Sequence, residues 1–143
     1  MTLGSEALGR VGSWWAKELG RWQGTWEAMT PDAGASPRWA TQNRLEEVND
    51  AVALRRFGEP QGEGLPVLIV TPQVNQSYIA DFHARQSLVR TLLGQGAHEV
   101  GVTDWLPPPK RAYTIADSID DIRACIARLG GRVHLVGPCQ GGW

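Results

Sequence analysis

The chain has 143 residues, 42% of them hydrophobic, and 14 basic side chains against 15 acidic ones, which leaves a net charge of -1. That length and composition fit a globular domain, and the near-neutral balance gives no electrostatic footprint for nucleic acid. No run of 18 or more apolar residues is present and the first ten residues lack a secretory signal's basic and apolar regions, so no transmembrane segment is expected and the cytoplasm is the expected compartment.

From Ser5 to Met29, Leu8, Val11, Trp15, Leu19, Trp22, Trp26 and Met29 recur at spacings of three and four, which predicts an amphipathic helix. Seven Trp in a chain with two Phe and two Tyr make this Trp-rich face stand out. Such a face usually docks on the chain's own core, but Trp with Arg10, Lys17 and Arg21 also suits an apolar surface or a partner subunit, through Trp15, Trp22 and Trp26. The stretch TPDAGASPRW, Thr30 to Trp39, reads as a linker. The expected division is a helical segment with linker over 1–40 and an α/β domain over 41–143.

Extended runs around Asn49-Asp50 predict an antiparallel hairpin or a bent strand, and LPVLIVT predicts a strand buried on both faces. A helix is expected over Ala84 to Leu93 with Gly94 at its C-cap, and then a strand in HEVGVTDW. Pro107 to Pro109 forbid a regular element. Thr114 and Asp117 form a capping box ahead of Ile115, Ile119, Ile122, Ile126 and Leu129, and Gly130-Gly131 stop that helix. Asp120 and Asp121 are expected to face solvent on it, and Cys125 to join the core. RVHLV is the last strand. Alternating strands and helices predict an α/β fold with a mostly parallel sheet.

Directly after that strand, Gly137-Pro138-Cys139-Gln140-Gly141 fits G-x-C-x-G, the thiol form of the nucleophile elbow. The nucleophile of such an elbow sits on a strained strand-to-helix turn, and small residues at Gly137 and Gly141 allow the backbone to pack closely. The backbone N–H of the following residue, Gln140, would donate to a developing oxyanion. A second donor is expected in the loop after VLIV, from Val74 or a neighbour. A lone cysteine is usually a small buried hydrophobe, but its place after an apolar strand favours the nucleophile here.

Other motifs carry less. GQG, Gly94 to Gly96, closes a helix and is no dinucleotide fingerprint, and no glycine is followed by the Lys-Ser or Lys-Thr of a phosphate loop. His83, His98 and His134 lack metal-ligand spacing, so no metal site and no cofactor are expected.

The blocks PVLIVTPQVNQSYIADF, QSLVRTLLGQG, VTDW and GPCQGGW together resemble the N-terminal half of polyhydroxyalkanoate synthases, over about Leu45 to Trp143. The resemblance implies an α/β-hydrolase fold that ends at the elbow. It implies an acyltransferase in which Cys139 carries 3-hydroxyacyl groups, taken from coenzyme A thioesters, as a thioester. It matches the family's second oxyanion donor to the loop of Val74 and Asn75, and implies polymer and a granule surface as partners. The family's catalytic Asp and His come later in its chain and match nothing here, which implies that this length alone is inactive in turnover. Ser118 stands where the synthases usually have Tyr. Intracellular polyhydroxyalkanoate depolymerases are similar over VTDW and the Cys-Gln pair, and a non-catalytic granule-binding remnant is a third reading.

Overall fold

The computed structural model describes residues 39–142 apart from 61, 108, 110 and 111. The expected Trp-rich helix, its Trp15, Trp22 and Trp26, and nearly all of the linker lie outside the described residues.

Asn49 makes the first turn. Its Oδ1 accepts from the N–H groups of Ala51 (2.9 Å) and Val52 (3.0 Å), the local pairing that makes Asn favourable in turns. The turn joins β1 (Arg44–Glu47) to β2 (Val52–Gly58), which pair antiparallel. β3 (Val67–Ile69) follows, wholly buried, as expected of a continuous apolar run.

After β3 the chain makes a short 3-10 turn, Ser77–Ala80, and a small hairpin of β4 (Asp81–His83) and β5 (Gln86–Ser87). Helix α1 spans Leu88–Gly94, shorter at its start than the periodicity predicts. The reason is Ser87, whose Oγ accepts from Arg90 N–H (2.9 Å) and donates to buried Asp81 (2.5 Å), fixing the N-cap there. Asp81 also accepts from the N–H (2.7 Å) and hydroxyl (2.9 Å) of Thr41, so one carboxylate ties the segment before β1 to the hairpin. The left-handed residue after α1 is Gly96 (φ 100°), not Gly94.

β6 (Glu99–Trp105), helix α2 (Ile115–Arg128) and β7 (His134–Val136) complete the chain order. The capping box of α2 is present in full: Asp117 N–H donates to Thr114 Oγ1 (3.3 Å), and Thr114 N–H to Asp117 Oδ2 (2.7 Å). Gly130 (φ 94°) and Gly131 (φ 83°) end the helix in conformations that favour glycine.

The five-stranded sheet has the order β1-β2-β6-β3-β7. β3 pairs parallel with both β6 and β7, and β2 pairs antiparallel with both β1 and β6. Four strands therefore run one way and β2 alone is reversed. The fold is of the α/β class, with a mixed sheet.

Strand alternation divides the core between two faces. Phe57, Val67, Ile69, Val100 and Val102 meet Val89 and the flank of α1, with Trp39 against Phe57 at 5.5 Å between ring centroids. Val52, Leu54, Leu68 and Val70 meet Cys125 and Leu129 of α2 on the other face. Gly101 allows α2 to approach, since a Cβ there would lie 2.8 Å from Leu129 Cδ1.

The two ends of the sheet differ. On β1, Glu46 accepts from Arg56 (3.0 Å) and Arg128 (2.9 Å), and Arg56 reaches buried Glu99 at 2.7 Å. Burial alone would raise the Glu46 carboxyl, but the hydrogen bonds from Arg128 and Arg56 hold it below the usual range. That charged edge resists pairing with another strand. β7, the short strand at the opposite end, exposes Leu135.

Candidate active site at the end of β7

The chain leaves β7 through Gly137 and Pro138 into a 3-10 turn, Cys139–Gly142. Cys139 has φ 55°, the one non-glycine residue with positive φ among those described. A side chain in that region costs about 1–2 kcal/mol in backbone sterics, and such outliers cluster where function requires the geometry. The turn is closed by Gly141 N–H donating to the Pro138 carbonyl (3.1 Å).

The flanking glycines are needed for space. A Cβ on Gly137 would stand 2.3 Å from the Gly141 carbonyl oxygen, and one on Gly141 would stand 1.9 Å from that of Val70. Neither approach leaves room for any side chain. The turn is thus folded back on itself and pressed against the end of β3, with the Cys139 side chain exposed.

The end of β3 is itself held rigidly. Buried Thr71 donates its N–H to Thr103 Oγ1 (2.9 Å) and its hydroxyl to the Thr103 carbonyl (2.7 Å), which welds β3 to β6. Trp105 Nε1–H donates to the Thr71 carbonyl (2.8 Å). The next loop therefore leaves from a fixed point.

That loop meets the elbow through Gln73. Its N–H donates to Gln140 Oε1 (3.1 Å) and its Nε2–H donates to Ser118 Oγ (3.0 Å) on the first turn of α2. Val74, the expected second donor, is the next residue, and it is 81% exposed. Cys139, Gln140, Gly137, Gly141 and the loop of Val74 thus lie together at one end of the sheet, the end from which β3, β6 and β7 emerge.

Beside them is a shallow cavity lined by Ala51, Gln73, Trp105, Leu106, Pro109 and Tyr113. Under Tyr113 lies a polar cluster that the helical stripe did not foretell. Asp121 is buried, not facing solvent as expected, and accepts from Asn49 Nδ2–H (2.6 Å) and from the Tyr113 hydroxyl. Burial first, and then the hydrogen bond to Asp121, push the Tyr113 phenol above its ordinary range. A signal for Asp121 was present: it stands four residues before Cys125, which stands four before Leu129, so all three share one row of α2. Asp120, in contrast, is exposed and pairs with Arg123 at 2.9 Å.

Cys125 is buried against the sheet, where burial, followed by the charge of Asp121, pushes its thiol up to about 12. It is a packing residue, as expected. Among the described residues no three His, Cys, Asp or Glu side chains gather as a metal site, and no helix is long and apolar enough to cross a membrane.

The chain is similar to the poly(3-hydroxyalkanoate) polymerase subunit PhaC of Allochromatium vinosum, 33% identical over an alignment 123 positions long that covers 78% of this chain. This chain is a relative of the poly(3-hydroxyalkanoate) polymerases. A second PhaC subunit, from Haloarcula marismortui, is 30% identical over an alignment of 123 positions, again covering 78% of this chain. Poly(3-hydroxyalkanoate) polymerase 1 of Ectopseudomonas oleovorans is 28% identical over an alignment of 103 positions, covering 66% of this chain. No protein-family model matches. The chain spans a third or less of these polymerases' own lengths: 33%, 26% and 18% in that order.

Proposed function

We propose that this chain carries the acyl-accepting half of a polyhydroxyalkanoate synthase site on an α/β-hydrolase framework, with Cys139 as the nucleophile. The observation that supports it best is the backbone of Cys139 itself. A left-handed non-glycine residue, on a turn straight after a parallel strand and between two glycines that no side chain could replace, is what a nucleophile elbow requires. The polymerase names of the three relatives favour acyl transfer over hydrolysis.

In the proposed step the Cys139 thiolate attacks the thioester carbonyl of a 3-hydroxyacyl-coenzyme A. A carbon–sulfur bond forms, the carbonyl electron pair moves to oxygen, and collapse of that oxyanion expels the coenzyme A thiolate. One thioester replaces another, so the acyl group stays reactive toward the next hydroxyl. Backbone N–H groups of Gln140 and Val74 are the proposed donors to the oxyanion. No cofactor is needed for this exchange. The resemblance assigns the acid and base that drive turnover to later parts of the synthase chain, so a single acylation is the reaction expected of these residues. Polymer and granule surface are the proposed partners in the cytoplasm.

The test is incubation of the chain with 3-hydroxybutyryl-coenzyme A. Release of at most one equivalent of coenzyme A is expected, with the mass of one hydroxybutyryl group on Cys139 and neither change in Cys139→Ala. Coenzyme A release that survives in Cys139→Ala, or an unmodified Cys139 in the parent chain, overturns the proposal.

A further inference from the structure

The loop after β3 and the elbow are separated by 67 residues in sequence, yet one residue holds them in register. We infer that Gln73 is a positioning residue for acyl transfer at Cys139, setting the Val74 N–H against the position where the oxyanion forms. This rests on the reading of Cys139 as an acylated nucleophile and of Val74 as the second donor.

Three elements meet at Gln73. Its backbone N–H is committed to Gln140 Oε1, on the residue after the nucleophile, and its side-chain amide to Ser118 Oγ, on α2. Ser118 N–H donates in turn to the Thr114 carbonyl (3.1 Å), so the amide is anchored on a capped, regular helix end. On the other side the Thr71 bonds to β6 fix the base of the loop. The segment between Thr71 and Val74 is therefore pinned at both ends, with Pro72 between the two anchors limiting its freedom further. Val74 itself has an exposed side chain and gains no hold from packing. The direction of its N–H is set by the residue before it.

Both Gln73 hydrogen bonds are exposed to solvent. Each competes with water and adds little to stability on its own. Their effect is one of register, and register matters where a donor must meet a charge that exists only in the transition state. Losing the register should therefore slow reactions that pass through an oxyanion and spare those that do not.

Two reagents make that distinction on the same thiol. With p-nitrophenyl acetate, Cys139 sulfur bonds to the carbonyl carbon, the electron pair moves to oxygen, and the ester carbon–oxygen bond breaks to release p-nitrophenolate. With iodoacetamide, sulfur displaces iodide from a saturated carbon and no oxyanion forms. In Gln73→Met and in Gln140→Met, acetylation of Cys139, read by p-nitrophenolate release and mass, is expected to fall about tenfold, while alkylation stays within about twofold. The double variant is expected to lose no more than the worse single one, because the two side chains act as one unit. Unchanged acetylation in Gln73→Met, an equal fall in both reactions, or additive losses would each overturn the inference. The ester reacts with any competent thiol. A chain that Gln73→Met slows toward the ester but that ignores 3-hydroxybutyryl-coenzyme A would sink the synthase reading and leave Gln73 standing.

Discussion

Gly141 lies so close to Val70 that a Cβ on the glycine would fall 1.9 Å from the valine's carbonyl oxygen. The obstacle is backbone, which cannot swing aside as a side chain would. β3 is held on both sides by β6 and β7, so the elbow would have to move instead. Gly141→Ala is expected to cost about 1–3 kcal/mol, the range for forced overpacking, measured by urea denaturation. Gly94 is the control: it ends α1 in open space, with no heavy atom within 4 Å of where a Cβ would stand, so Gly94→Ala should be neutral or stabilising by up to about 1 kcal/mol. Equal effects from the two substitutions would contradict the packing argument.

Cys139 holds a conformation that suits glycine better than cysteine, with φ 55° and an exposed side chain. Little packing is lost if that side chain is removed. Cys139→Gly should therefore stabilise the chain by about 1 kcal/mol through relief of the backbone penalty, and Cys139→Ala, which keeps its Cβ, should not. A melting temperature that rises for Gly alone would show strain kept for the sake of a functional side chain, the trade-off expected at active sites. Equal melting temperatures for Gly and Ala would mean the turn bears no such strain.

Asp121 joins α2 to the hairpin turn and to the cavity wall, through Asn49 and Tyr113. In Asp121→Ala the Asn49 amide and the Tyr113 hydroxyl lose their carboxylate acceptor, at a cost of about 1–3 kcal/mol. The pH dependence follows from the raised phenol. The folded state keeps the Tyr113 proton more tightly than the unfolded state does, so its contribution is complete below the ordinary value of 10.0 and is lost as pH rises through the higher folded value. An ultraviolet titration, with Tyr113→Phe subtracted, should place the Tyr113 midpoint above 10.0 in the parent chain and lower in Asp121→Ala. A midpoint that Asp121→Ala leaves in place would remove Asp121 from the explanation.

Much of this architecture was legible in the residues. The run LPVLIVT, the capping box at Thr114 and Asp117, and the glycine pair after α2 are local signals, and the structure meets each of them. α1 was legible in kind but not in its start, since the capping Ser87 hydroxyl is held by donating to Asp81, six residues earlier in a hairpin that no periodicity announced. The elbow was legible as a pattern of five residues. That its glycines allow close backbone packing was legible too, but what Gly141 packs against was not, because Val70 lies far away in sequence.

By itself, the sequence determined the buried run that becomes β3, the segments that become β6 and β7, where α2 begins and stops, and that a cysteine turn follows the last strand. These depend on periodicity, capping and steric limits that act within a few residues. Only the tertiary structure decided that β2 also runs against β6, that Asp121 is buried, and that Gln73 joins Gln140 to Ser118. Each of those depends on which elements meet across the sheet. A polar residue is placed by the partner it finds there, and no local pattern names that partner.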